Sequence, residues 1–269
     1  MATIHRQQIS MADFAPQHNL YKVIGNLRTV AQWIFWLILV FSIIPVSFKE
    51  FCDKHNLLHL VSILNIIGIS IYFIIETTIE YILLPLADSK RRDDFIDNSF
   101  GSMISTNSSV GYYDNDEVNQ GLYKAAVNLF ENCFFTFSLV RIMTIRKIVV
   151  PSVMLILIVV FAYYGFKEVP FALTILQALF SASILGELVK HLILINRLSN
   201  IQDSWVSLFH NEDLKQNTLR YHAHIYRYWL QYEALHSKIN ANIPDGVFNT
   251  HNENLTDEWG KMKSRYRII

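Results

Sequence analysis

An all-α membrane protein with four transmembrane helices, paired as two antiparallel hairpins beside a helical cytoplasmic region, is the fold class the sequence predicts. Three observations predict it. Hydrophobic side chains make up 52% of the 269 residues and charged ones 17%, more apolar character than one soluble core of this size holds. The excess is gathered into runs long enough to cross a bilayer, whose hydrocarbon core of about 30 Å takes roughly 20 helical residues. Basic residues flank these runs mostly on one side.

Residues 1–28 are polar and carry no small-residue cleavage site behind the first apolar run, so that run is expected to stay in the protein. The first hairpin occupies 29–87, with spans at about 29–47 and 57–80. The first span is uncharged and opens with Trp33 and Trp36, residues suited to the membrane interface. The second apolar run is longer than one crossing needs, so its end protrudes or tilts.

Residues 88–147 form a cytoplasmic segment. Its Ser/Asn/Gly-rich stretch 99–115 reads as loop. A helix is expected to resume near Asp116 with Asn115 or Asp114 as its cap, because Val118, Leu122, Ala125, Ala126 and Leu129 recur at helical spacing. The Phe-rich stretch 132–140, followed by Arg141, Arg146 and Lys147, reads as an approach to the headgroup boundary.

The second hairpin occupies 148–196, with spans at about 148–166 and 171–193. Only residues 167–170 join them, which forces an antiparallel pair. In the cytoplasmic region 197–269, Leu198, Ile201, Trp205 and Leu208 form one amphipathic stripe, and Leu219, Ala223, Tyr226, Leu230 and Ala234 a second. From Ile243 onward the chain reads as polar and turn-rich. With four alternating spans, every Lys and Arg except Lys49, Lys54 and Lys167 falls on one side, which places both termini in the cytoplasm.

Lys+Arg and Asp+Glu are 23 each, so bulk positive charge for duplex nucleic acid is absent. Cys52 and Cys133 are far apart and fit neither a disulfide framework nor a zinc spacing. GxSxG, HExxH, P-loop and GxGxxG signatures are missing, so no catalytic residue, cofactor or metal is predicted. His222 and His224 are two apart and fall on different helix faces.

Several residues carry possible chemistry. Glu76 and Glu80 share a helix face at the inner end of the second span; in a symmetric oligomer they would form the acidic ring of a cation pathway, or else they are ordinary interfacial charges. Glu187 and Lys190 read as a self-paired couple, and Asn65 and Gln177 as interhelical hydrogen-bonding groups. Asp93, Asp94 and Asp97 fit the DDxxD spacing that holds diphosphate through magnesium, the basis of a minor reading as a lipid-modifying enzyme. Lys90, Arg91 and Arg92 form the densest basic cluster, suited to phosphate oxygens or to pinning a span against anionic lipid. Arg220, Tyr221, Arg227 and Trp229 mix guanidinium and aromatic groups that either stack bases and clamp phosphates or pack on a neighbouring helix.

The layout of two spans, a cytoplasmic segment, two more spans and a helical C-terminal region, together with DSKRRDDFIDNSFG at 88–101 and GYYDND at 111–116, resembles the SMODS-associating four-transmembrane effectors of bacterial anti-phage systems. The resemblance implies a homo-oligomer, expected as a tetramer, in the bacterial inner membrane. It implies an ion channel or pore gated by a cyclic or linear oligonucleotide from a partner nucleotidyltransferase, depolarising the membrane and arresting growth. The family has no catalytic residues to carry over. Lys90, Arg91, Arg92, Arg220, Tyr221, Arg227 and Trp229 are therefore nominated as ligand-binding from charge and position alone, and Glu76 and Glu80 as the ion pathway. A membrane scaffold without conductance is the alternative.

Overall fold

The computed structural model describes residues 15–106, 109, 112–113, 115–164 and 184–269. Among these every regular element is helical and no strand occurs. In order they are α1 (His18–Ser47), a short α2 (Lys49–Lys54), α3 (Leu57–Thr78), a π segment (Ile79–Leu83), α4 (Leu84–Phe100), α5 (Leu122–Tyr164), α6 (Ile184–Phe209), a 3-10 turn (Thr218–Tyr221), α7 (His222–Lys238) and α8 (Asp245–Arg265). The chain divides into two compact units. One gathers the described residues up to Tyr21 with Leu86–Ile142 and Leu194–Ile269; the other comprises Lys22–Pro85 and Met143–Ile193.

Two helical stretches are long and apolar enough to cross a membrane: His18–Ser42, which belongs to the second unit from Lys22 onward, and Leu57–Phe100, which belongs to it as far as Pro85. α3 buries none of its residues. Ile66 and Phe73 are 64% and 68% exposed, where a water-soluble helix would lose about 25 cal/mol for each Å² of apolar surface left uncovered. α1 and α3 meet through polar and small groups: Asn65 Nδ2 donates to Ser42 Oγ at 2.9 Å, joining the helices as read from sequence. At Gly68 an added Cβ would come within 3.0 Å of Ile38 Cγ1, so glycine there permits the close approach.

α5 is a single helix across the predicted boundary between cytoplasmic segment and third span, with Pro151 inside it. It reaches Tyr164 and α6 begins at Ile184. Residues 165–183, which include the predicted turn at 167–170, Gln177 and most of the fourth predicted span, lie outside the described residues.

The first unit is built on an aromatic core. Phe130 lies 4.9 Å from Phe209 and 5.3 Å from Trp259, Trp205 packs edge-on to Tyr228 at 5.3 Å, and Phe95 meets Trp229 at 5.1 Å. The predicted stripe Leu198, Ile201, Trp205 and Leu208 is buried here, as are Val118, Ala125, Ala126 and Leu129.

Three sequence expectations are corrected. The loop read at 99–115 begins only at Gly101, because α4 runs through Phe100 and Gly101, at φ 69°, ends it in the left-handed region open to glycine. Asn115 is not a helix cap: α5 starts at Leu122, and the Asn115 side chain is buried, donating to Asn128 Oδ1 at 2.8 Å and Glu131 Oε2 at 2.6 Å. Asp114 lies outside the described residues. The Phe-rich stretch lies within α5, which runs on into the third predicted span, and it also feeds the core: Cys133, Phe134, Leu139 and Val140 are buried, and Phe134 stacks on Trp259 of α8 at 6.1 Å. The tail beyond Ile243 is the helix α8, held by buried Leu255 and Trp259.

The second predicted stripe is also on the wrong face. Leu219 and Leu230 are 79% and 69% exposed, while Ile225 and Tyr232 are buried, so α7 packs through the opposite side. α8 closes with Arg267 at φ 52°, Ile268 N–H bonding the Lys263 carbonyl at 2.9 Å and Arg267 N–H the Ser264 carbonyl at 3.3 Å. This is a Schellman cap with arginine in glycine's usual place, and buried Ile268 supplies its hydrophobic contact.

Candidate functional site

Successive residues on α4 step by about 100° around the helix, so Lys90, Arg91 and Arg92 diverge instead of forming one basic surface. Lys90 is exposed and Arg92 half-buried, but Arg91 is only 6% exposed and pairs with Glu233 of α7 at 2.5 Å. Burial alone would ease the proton off this guanidinium; the Glu233 carboxylate reverses that and holds Arg91 charged. One turn earlier, Asp88 Oδ1 accepts the Tyr21 hydroxyl at 2.6 Å and lies 3.4 Å from His236 Nδ1. Burial pushes the Asp88 carboxyl up, but His236, Tyr21 and Arg91 outweigh it and hold the group below the usual carboxylate range. The Arg91–Glu233 ion pair and the Asp88–His236 contact, both largely buried, thus tie α4 to α7. Arg91 is therefore committed to an internal partner and is not displayed for a ligand.

Asp94 and Asp97 are spent on the loop that follows α4. Asp97 accepts the Ile104 amide at 2.8 Å, the Ser105 amide at 2.7 Å, the Ser102 hydroxyl at 2.9 Å and the Ser105 hydroxyl. These donors overcome the effect of burial and keep its carboxyl below the ordinary value. Asp94 Oδ1 accepts the Ser109 amide at 2.6 Å, yet burial raises its carboxyl, with Asp97 adding to the rise. Among the described residues no group of three His, Cys, Asp or Glu is placed to hold a metal ion.

The second nominated patch divides in the same way. Trp229 packs on Phe95 and stacks at 6.4 Å on Phe100, and Tyr221 lies against the core with its hydroxyl on Asp213. Arg220 and Arg227 stay exposed; Arg220 reaches Asp213 at 3.4 Å and lines an open surface groove with Gln216, Asn217, Thr218 and Leu219.

In the second unit, Glu76 on α3 lies in the electrostatic field of Arg28, Glu187, Glu80 and Lys190. Glu187 and Lys190 are 3.5 Å apart at i and i+3, the pair read from sequence. Glu80 falls inside the π segment, where the Leu84 N–H reaches back five residues to the Ile79 carbonyl. The wider turn re-aims everything beyond it, a device that recurs where a helix carries function.

No family model, curated protein or solved structure matches this chain. The geometry alone therefore brings out what sequence reasoning missed. The Tyr21–Asp88–His236 contact and the Arg91–Glu233 pair have no local sequence signal. The polar knot of Asn98, Ser99, Asn115 and Asn128, in which Asn128 Nδ2 donates to Asn98 Oδ1 at 3.0 Å and Ser99 Oγ at 3.1 Å, joins α4, the loop and α5, which no single stretch of sequence links.

Proposed function

We propose that the chain is a multi-pass membrane effector of bacterial anti-phage defence, with four spans in two hairpins, both termini cytoplasmic, and a homo-oligomeric ion pathway gated by a cyclic or linear oligonucleotide. The observation that carries the reading is α3: an apolar helix that buries none of its residues and leads through Glu76 into a π segment holding Glu80. Carboxylates at the edge of the hydrocarbon are costly unless they face water or one another's counter-charges, and a ring of them selects cations. The division into two units supports it, because the unit boundaries fall close to the polar and apolar boundaries of the sequence. The resemblance to the four-transmembrane effectors supplies the signal and the setting. With Arg91 internal, the exposed Lys90 is the candidate phosphate contact left in that cluster.

Conductance of the purified protein in planar bilayers, with and without short cyclic and linear oligonucleotides at fixed salt, tests this. A conductance that switches with one nucleotide supports it. Silence from a folded, oligomeric protein under every condition rejects it in favour of a scaffold, a reading that the exposed stripe on α7 favours. Gating requires the nucleotide to bind one pore state better than the other.

A further inference from the structure

The face of α7 turned away from the core has a composition of its own. Tyr226 and Leu230 lie along it, preceded by Leu219 in the 3-10 turn; Leu219 and Leu230 are 79% and 69% exposed, and Tyr226, at 47%, is covered in part by stacking on Trp229. On one flank stand Arg227 and Lys238, an eleven-residue step apart that returns to nearly the same helix meridian, with Arg220 preceding them in the 3-10 turn, all exposed. Thr218 through Gln231 contain no Asp or Glu. The next acid, Glu233, is engaged with Arg91, and the one acid near Arg220 is Asp213. An apolar stripe beside a basic row is the composition of a helix that lies in the headgroup layer, its leucines in the acyl boundary and its cations on lipid phosphate. A second copy of this helix would set these cations against each other, and a nucleic acid would leave the leucines uncovered.

We propose that α7 is a docking helix for an anionic lipid surface, seated through Leu219, Tyr226 and Leu230 and held by Arg220, Arg227 and Lys238. The inference goes beyond the proposed conductance and rests only on the chain being in a membrane. It makes the cytoplasmic unit responsive to the charge of the leaflet, because seating α7 fixes the helix that carries Glu233 and His236.

The test uses the full chain in nanodiscs, with an environment-sensitive fluorophore on Gln231→Cys; native Cys52 and Cys133 are buried and leave the new thiol the accessible one. Discs are made of phosphatidylcholine alone or of phosphatidylcholine with phosphatidylglycerol. In anionic discs the probe is expected to shift to the blue and to be quenched by nitroxide-labelled lipid, with both effects reversed by high salt. Each Arg at such a surface is worth about a fivefold change in binding, so Arg220→Gln with Arg227→Gln should lower the docking constant roughly 25-fold. An unshifted probe in anionic discs overturns the proposal. So does an equal shift in neutral discs, or one that appears in detergent and grows with protein concentration, which assigns the face to a second copy. A shift produced only by added oligonucleotide overturns it in favour of nucleic acid. Co-migration of the protein with the disc separately reports membrane insertion, so failure of that reading is distinguishable.

Discussion

Arg91 and Glu233, 142 positions apart in sequence, meet at 2.5 Å as a buried ion pair between α4 and α7. Removing two charges from water is expensive, and the pair is tolerable because each offsets the other. Breaking it is therefore worse than deleting it. Arg91→Met alone, which strands a buried carboxylate, is expected to cost about 3–5 kcal/mol, whereas Arg91→Met with Glu233→Leu should lie near wild type. A double-mutant cycle on thermal unfolding, followed by helical circular dichroism, checks this.

The two carboxylates of the α4 loop should respond to pH in opposite directions. Asp97 has its folded pKa below the ordinary value, so the unfolded chain takes up the proton first as pH falls. The stability it contributes is complete above roughly pH 3.9 and is lost as pH falls through the folded value. Asp94 has its folded pKa raised, so its contribution is fullest at low pH and is lost as pH rises through that value. At neutral pH Asp97→Asn is expected to destabilise, on the order of 1–3 kcal/mol for donors left poorly paired. Asp94→Asn keeps an acceptor for the Ser109 amide and should be neutral or stabilising there. Unfolding of both variants followed from acid to neutral pH separates these signs.

The register of α7 makes a third prediction. Ile225→Ala empties a fully buried site and should cost about 2–5 kcal/mol, while Leu230→Ala, on the exposed face, should change stability by less than about 0.5 kcal/mol in detergent. Equal losses at the two positions would place the helix in the register first read from sequence.

That register shows where sequence reasoning stops. Leu198, Ile201, Trp205 and Leu208 were legible because α6 offers one apolar stripe with polar residues opposite. α7 offers two: Leu219, Tyr226 and Leu230 on one side, and Ile225, Tyr228 and Tyr232 on the other, so periodicity finds a helix but cannot choose its face. α8 was lost because Leu255 and Trp259 are separated by polar residues and the partners of Trp259, Phe130 and Phe134, lie far away in the chain. The basic run at Lys90 was visible as charge, yet what occupies Arg91 is a residue on a different helix, and no local pattern encodes that.

Glu76 supports the last prediction. It sits on an apolar helix that buries none of its residues, with Arg28 and Lys190 as opposing charges and Glu80 four positions further on. In a wet cation pathway a carboxylate acts on a passing ion with roughly 1 kcal/mol, about fivefold in local occupancy, and each subunit of an oligomer repeats the effect. Glu76→Gln should therefore lower cation preference and Glu76→Lys should reverse or abolish it, while Glu50→Gln, on the short helix before α3, should leave it unchanged. Reversal potentials in asymmetric salt read the difference directly. If Glu76→Lys and wild type reverse at the same potential, the charge is matched by Arg28 or Lys190 within the unit, and the ion pathway runs elsewhere.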